Sequence, residues 1–119
     1  MTQKPVTKDT LFVLDPHNHI VDESPRFCPP CAMVTGYLHY YPEVAKQLDV
    51  ITVSPVRPRR QIIEQIGEEN QGSPVLILAD ESTVPDDIDV QLFDGRRFIN
   101  ESRAILKYLG QTYHAGLPL

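Results

Sequence analysis

Short apolar runs alternate along this chain with stretches whose apolar residues recur at helical spacing. Thr10 to Leu14 (Thr-Leu-Phe-Val-Leu) is rich in β-formers and bounded by Asp15-Pro16, which predicts a buried first strand. His17 to Phe27 is polar and long for a strand-to-helix connection, a length at which connections are commonly functional or mobile. From about Pro29, Val34, Tyr37, Leu38 and Tyr41 line one face of a predicted helix. Prolines in its first turn are tolerated, because the amides they lack have no partner inside a helix. Pro42 must break or kink this helix, and Glu43 to Leu48 supplies a further turn or two.

Val50 to Val53 predicts a second strand, followed by a basic stretch with Arg57, Arg59 and Arg60. Pro58 suits the first position of a second helix, whose inward residues are Ile62, Ile63 and Ile66, with Gly67 near its end. Val75 to Ala79, entered through Ser73-Pro74, is the most apolar strand. Asp80 to Asp89 is acidic and reads as a surface insertion. Val90 to Phe93, then Asp94-Gly95, then Arg97 to Ile99 has the pattern of a hairpin with a two-residue turn. A last helix from about Glu101 to Tyr113 buries Ala104, Ile105, Tyr108 and Leu109, with Asn100 as its cap. The predicted order is β-α-β-α-β-β-α.

Length and composition narrow the class. The 119 residues suffice for one hydrophobic core and not for two, so residues 1–119 are read as a single domain with residues 1–9 as a flexible tail. An apolar fraction of 41% is ordinary for a globular chain and argues against disorder. No stretch approaches the roughly 18 apolar residues that a membrane helix needs. The polar start carries Lys4 and Lys8 with no apolar run behind them, unlike a signal peptide, which predicts a cytoplasmic location. A net charge of −5 argues against a general nucleic-acid binder. In the cytoplasm a pair of cysteines is a reactive pair or a set of metal ligands rather than a structural staple.

Both cysteines lie in one tetrapeptide, Cys28-Pro29-Pro30-Cys31, which follows a predicted strand and opens a predicted helix. Thiols two residues apart can close a small disulfide ring, and the positive end of a helix favours the attacking thiolate. A CxxC in this context reads as a redox pair. Neither proline carries an amide hydrogen, so two thiolate-stabilising donors are missing and the Cys28 pKa is expected to be lowered only modestly.

Taken together, the CxxC, Ser73-Pro74-Val75-Leu76, Phe93-Asp94-Gly95 and Phe98 to Ile105 with Tyr108-Leu109 resemble the thioredoxin-like superfamily over nearly the whole chain. The nearest likeness is to glutaredoxins and the N-terminal domain of glutathione S-transferases, and overall to a small bacterial thioredoxin-like family of uncharacterised function. The resemblance implies an α/β, thioredoxin-like fold with a central mixed four-stranded sheet and flanking helices. It implies Cys28 as the attacking thiol, Cys31 as the resolving thiol, and a cis Pro74 that faces them and lets the Ser73 backbone pair with substrate. The partner would be a disulfide-containing protein or glutathione, with no other cofactor. Glu101 and Ser102 would receive the γ-glutamyl group of glutathione, and Arg59 and Arg60 its other carboxylate. The helical second domain of the transferases has no counterpart in these residues.

Two other classes compete. His17 and His19 with Cys28 and Cys31 offer two imidazoles and two thiolates, a ligand set suited to tetrahedral zinc. Alternatively the domain is a non-enzymatic binding module, since a fold does not fix a function.

Overall fold

The computed structural model describes residues 4–17 and 19–119. The chain runs through β1 (Thr10–Leu14), a small hairpin of β2 (Ile20–Val21) and β3 (Ser24–Pro25), α1 (Pro29–Tyr40), α2 (Pro42–Ala45), β4 (Asp49–Val53), α3 (Arg60–Ile66), β5 (Val75–Ile77), β6 (Gln91–Phe93), β7 (Arg96–Ile99) and α4 (Ser102–Tyr113). The polar stretch before α1 therefore holds structure of its own. Pro42 ends α1 as expected and opens the short α2.

The main sheet is mixed and has five strands in the order β4-β1-β5-β7-β6. β1 and β4 are parallel, with Leu11 opposite Val50, and the other neighbours are antiparallel. The expectation of four strands falls one short. Both arms of the Asp94-Gly95 hairpin join the sheet: β7 pairs with β5, and β6 extends the sheet as its edge. Asp94 and Gly95 both take positive φ (50° and 80°), the backbone that a two-residue hairpin turn requires.

Strand alternation sends side chains to the two faces of the sheet. Leu11, Val13, Leu76 and Ile99 pack with Val34 of α1 and Ile105 and Leu109 of α4. On the opposite face Phe12, Val53, Ile77 and Phe98 pack with Ile62 and Ile66 of α3. The second helix starts at Arg60 rather than Pro58, with Arg59 as its cap residue. Gly67 ends it at φ 88°, and a Cβ there would lie 2.6 Å from the Phe93 ring.

Two further expectations change. The cap of the last helix is Glu101, not Asn100, because the Glu101 carboxylate reaches the amides of Arg103 (2.8 Å) and Ala104 (3.1 Å). Residues 4–9 of the supposed flexible tail are fastened down: the Val6 amide donates to Asp80 Oδ2, the Asp80 amide donates to the Val6 carbonyl, and Asp9 is buried. Residues 1–3 lie outside the described residues. Among the described residues no helix is long and apolar enough to cross a membrane.

Candidate functional site

The dithiol sits at the C-terminal end of β1, where the chain turns into α1. Cys28 is the cap residue of α1, Pro29 and Pro30 are its first two helical positions, and Cys31 is the third. A capping side chain normally accepts from the second and third amides of the helix. With proline in the second position, only the Cys31 amide remains, and it donates to Cys28 Sγ at 3.2 Å. Cys28 is half-buried and Cys31 is buried, and both are free thiols.

Ser73 joins the two sulfurs. Its peptide bond to Pro74 is cis. Its carbonyl accepts from Cys28 Sγ at 3.6 Å, and its hydroxyl lies 3.5 Å from Cys31 Sγ. The same hydroxyl donates to the Phe12 carbonyl at 3.0 Å, so the Cys31 thiol is the donor in its contact with Ser73. The Leu14 amide points at Cys31 Sγ from 3.4 Å. Strand β1 and the Ser73 loop thus hold both sulfurs against one short stretch of backbone.

This geometry reverses the expected shift of Cys28. Burial pushes the Cys28 pKa up to about 11, the hydrogen bond with the Cys31 side chain adds to the rise, and the Cys31 amide and the Arg59 charge oppose it. Only the Cys31 amide serves the sulfur, as the two prolines imply, but desolvation outweighs it and has no one-dimensional signature. A carbonyl facing Cys28 Sγ works in the same sense, since it can accept from a thiol and repels a thiolate.

Two cavities open on Cys28. The larger, about 560 Å³, runs between α1 and the edge strand β4, reaches both sulfurs, and is walled by Leu14, Phe27, Gly36, Leu38 and Val50. Among the described residues its lining carries no charged side chain. The smaller, about 210 Å³, is mixed: Leu14, Phe27 and Pro55 line it together with Asp15, His19, Arg26 and Arg59. Arg59 is fixed there by hydrogen bonds from its guanidinium to the Pro55 carbonyl (2.8 and 3.1 Å) and the Gln71 carbonyl (2.7 Å).

The remaining candidate residues do not gather at the sulfurs. Arg60 is exposed at the start of α3. Glu101 lines neither cavity at Cys28; it borders a separate one with Asp87, Arg103 and Lys107, and its carboxylate already occupies the helix amides assigned to an incoming carboxylate. Ser102, the first residue of α4, likewise lines neither cavity at Cys28. His17 is exposed, and among the described residues no group of three or more His, Cys, Asp and Glu side chains is placed to hold a metal ion. The four zinc ligands are not assembled.

Sequence reasoning also missed a second polar cluster. Asp9, 2% exposed, accepts from the Ala79 amide (2.7 Å), Ser82 Oγ (2.7 Å), Tyr108 Oη (2.6 Å) and Tyr113 Oη (2.7 Å). Burial, reinforced by Asp9, pushes Tyr108 up to about 12 and raises Tyr113 as well. The available signal was an aspartate placed directly before a buried strand, together with two tyrosines on the buried side of the last helix.

No match is found among the curated proteins or the solved structures. A family match covers residues 8–117 and so takes in β1, the dithiol helix, the Ser73 loop and the hairpin. On that span the chain belongs to the DUF3088 family, described as a protein of unknown function.

Proposed function

We propose that this protein is a thiol–disulfide oxidoreductase of thioredoxin-like architecture, working in the cytoplasm through Cys28 and Cys31. The observation that carries the reading is the convergence on one loop: Ser73, before a cis proline, contacts the sulfurs of both cysteines, and Cys28 caps the helix that Cys31 enters. In this reading the Cys28 thiolate attacks a substrate disulfide and one substrate thiol leaves with the displaced electron pair and a proton. Cys31 then attacks Cys28 Sγ, releases the second substrate thiol, and leaves a Cys28–Cys31 disulfide. The protein loses two electrons and the substrate gains them. A cellular thiol reductant would return the pair to its dithiol form.

Burial of Cys31 against half-exposure of Cys28 supports this order of attack, since the outer sulfur meets the substrate first. The test is mass analysis of the Cys31→Ser variant after exposure to a disulfide substrate. It should accumulate a mixed disulfide on Cys28, while Cys28→Ser should accumulate none and lose turnover. Equal adduct formation in both variants would discard the reading.

A further inference from the structure

Gly36 lies inside α1, just over one turn beyond Cys31, and the fold offers no reason for it. A glycine inside a helix is less stable than alanine by roughly 0.5–1 kcal/mol. Such a residue usually lets another part of the chain approach closely. Here a Cβ built on Gly36 would meet no atom within 4 Å beyond its chain neighbours and its own helix backbone. The space it would enter is the cavity of about 560 Å³ between α1 and β4, which Gly36 lines together with both cysteines.

That cavity has a definite chemistry. It falls in the size range of small-molecule pockets, which run roughly from 300 to 1,000 Å³. Leu14, Phe27, Leu38 and Val50 supply its apolar walls, and Thr35 and Thr52 bring hydroxyls. Phe27 and Val50 remain largely open to solvent, so apolar surface lies unclosed beside the reactive sulfurs. The cationic groups near Cys28, Arg26 and Arg59, line the other cavity. A disulfide reacting at Cys28 with one arm in the larger cavity would find no charged side chain among the described lining residues to pair with a carboxylate or an ammonium group.

We infer that the groove between α1 and β4 is the substrate pocket for an uncharged, apolar low-molecular-weight disulfide, and that Gly36 keeps it open. This rests on the dithiol reading above. One sulfur of the substrate meets Cys28 Sγ while its apolar arm lies along Gly36 and Val50. Attack breaks the substrate S–S bond, expels the outer arm as a thiol, and leaves the seated arm as a mixed disulfide. Cys31, which borders the same groove, then displaces the seated arm as a second thiol.

The experiment is a single-turnover reaction of the reduced protein with dimethyl disulfide, di-n-butyl disulfide and oxidised glutathione. Each rate is divided by the rate of the same reagent with free cysteine at the same pH. Each methylene buried is worth about fourfold, so full burial of the butyl arm gives a preference of about sixtyfold for the butyl over the methyl reagent. Gly36→Leu should fill the groove and bring that ratio close to one, and Gly36→Ala should lower it partly. Neither variant should lower the thermal midpoint, because both residues are better helix formers than glycine.

A wild-type ratio near one, a preference for oxidised glutathione, or reaction with a protein disulfide alone would overturn the pocket while leaving the dithiol reading intact. So would a butyl preference that survives Gly36→Leu. If no disulfide reacts with wild type faster than with Cys28→Ser, the dithiol reading falls and the pocket falls with it.

Discussion

Strand β1 carries a polar cluster at each end, and the two are built to opposite standards. At its start, Asp9 is buried and takes four hydrogen bonds of 2.6 to 2.7 Å from two tyrosines, a serine and an amide. At its far end, Cys28 and Cys31 have contacts of 3.2 to 3.6 Å, and two cavities reach Cys28. A buried polar group with its full complement of partners stabilises a fold, and losing one partner is costly. A polar group with few partners and access to solvent is available for chemistry. Under the function proposed above, the difference gives the aspartate to stability and Cys28 to reaction, although the two clusters sit at opposite ends of one strand.

The comparison can be broken most sharply through pH. With the Cys28 thiol pushed up to about 11, its alkylation by iodoacetamide should rise about tenfold per pH unit from 7 to 10, so about a thousandfold in all. The sign follows from the thiolate being the nucleophile: more of it forms as pH climbs towards the raised value. A rate that is already flat below pH 8 would place Cys28 among the activated thiols and show that burial does not govern its ionisation.

Asp9→Ala comes next. It strands several buried donors at once and should cost about 3–5 kcal/mol in urea unfolding, with alkylation of Cys28 unchanged at fixed pH. A loss under 1 kcal/mol would show that the cluster is not structural. Tyr108→Phe removes a single donor from Asp9 and should cost about 1–3 kcal/mol by the same measurement. At the other end, Ser73→Ala removes the hydroxyl shared by Cys31 and the Phe12 carbonyl and should cost only about 1 kcal/mol. A Ser73→Ala penalty larger than that of Tyr108→Phe would invert the ranking of the two ends.

Much of the scaffold was legible in the sequence because it rests on local signals. The β-rich apolar run Thr10–Leu14, helical spacing from Ile62 to Ile66, and Asp94-Gly95 each specify an element within a few residues. Cys28-Pro29-Pro30-Cys31 and Ser73-Pro74 likewise announced themselves as short motifs, and the structure sets them in contact. What escaped depends on distant pairing. The Asp9 cluster joins residues up to 104 positions apart, and the raised Cys28 pKa comes first from desolvation by packed neighbours. Glu101 was read as a ligand contact, yet its side chain turns back on its own helix, a choice that the sequence leaves open. The wide groove beside Gly36 is a space between elements, and no residue pattern encodes a space.

The contact between Gly67 and Phe93 binds two positions that never meet in sequence. Any side chain at 67 must accept a positive φ and also push aside the Phe93 ring, whose atoms lie 2.6 Å from the place a Cβ would take. Relatives that carry another residue at this place should therefore have a smaller one at the position of Phe93, and a variant library selected for folding should recover the two changes together. An edge hairpin and a helix end, read separately, would look free to drift; this close approach ties the choice of residue in one to the choice in the other.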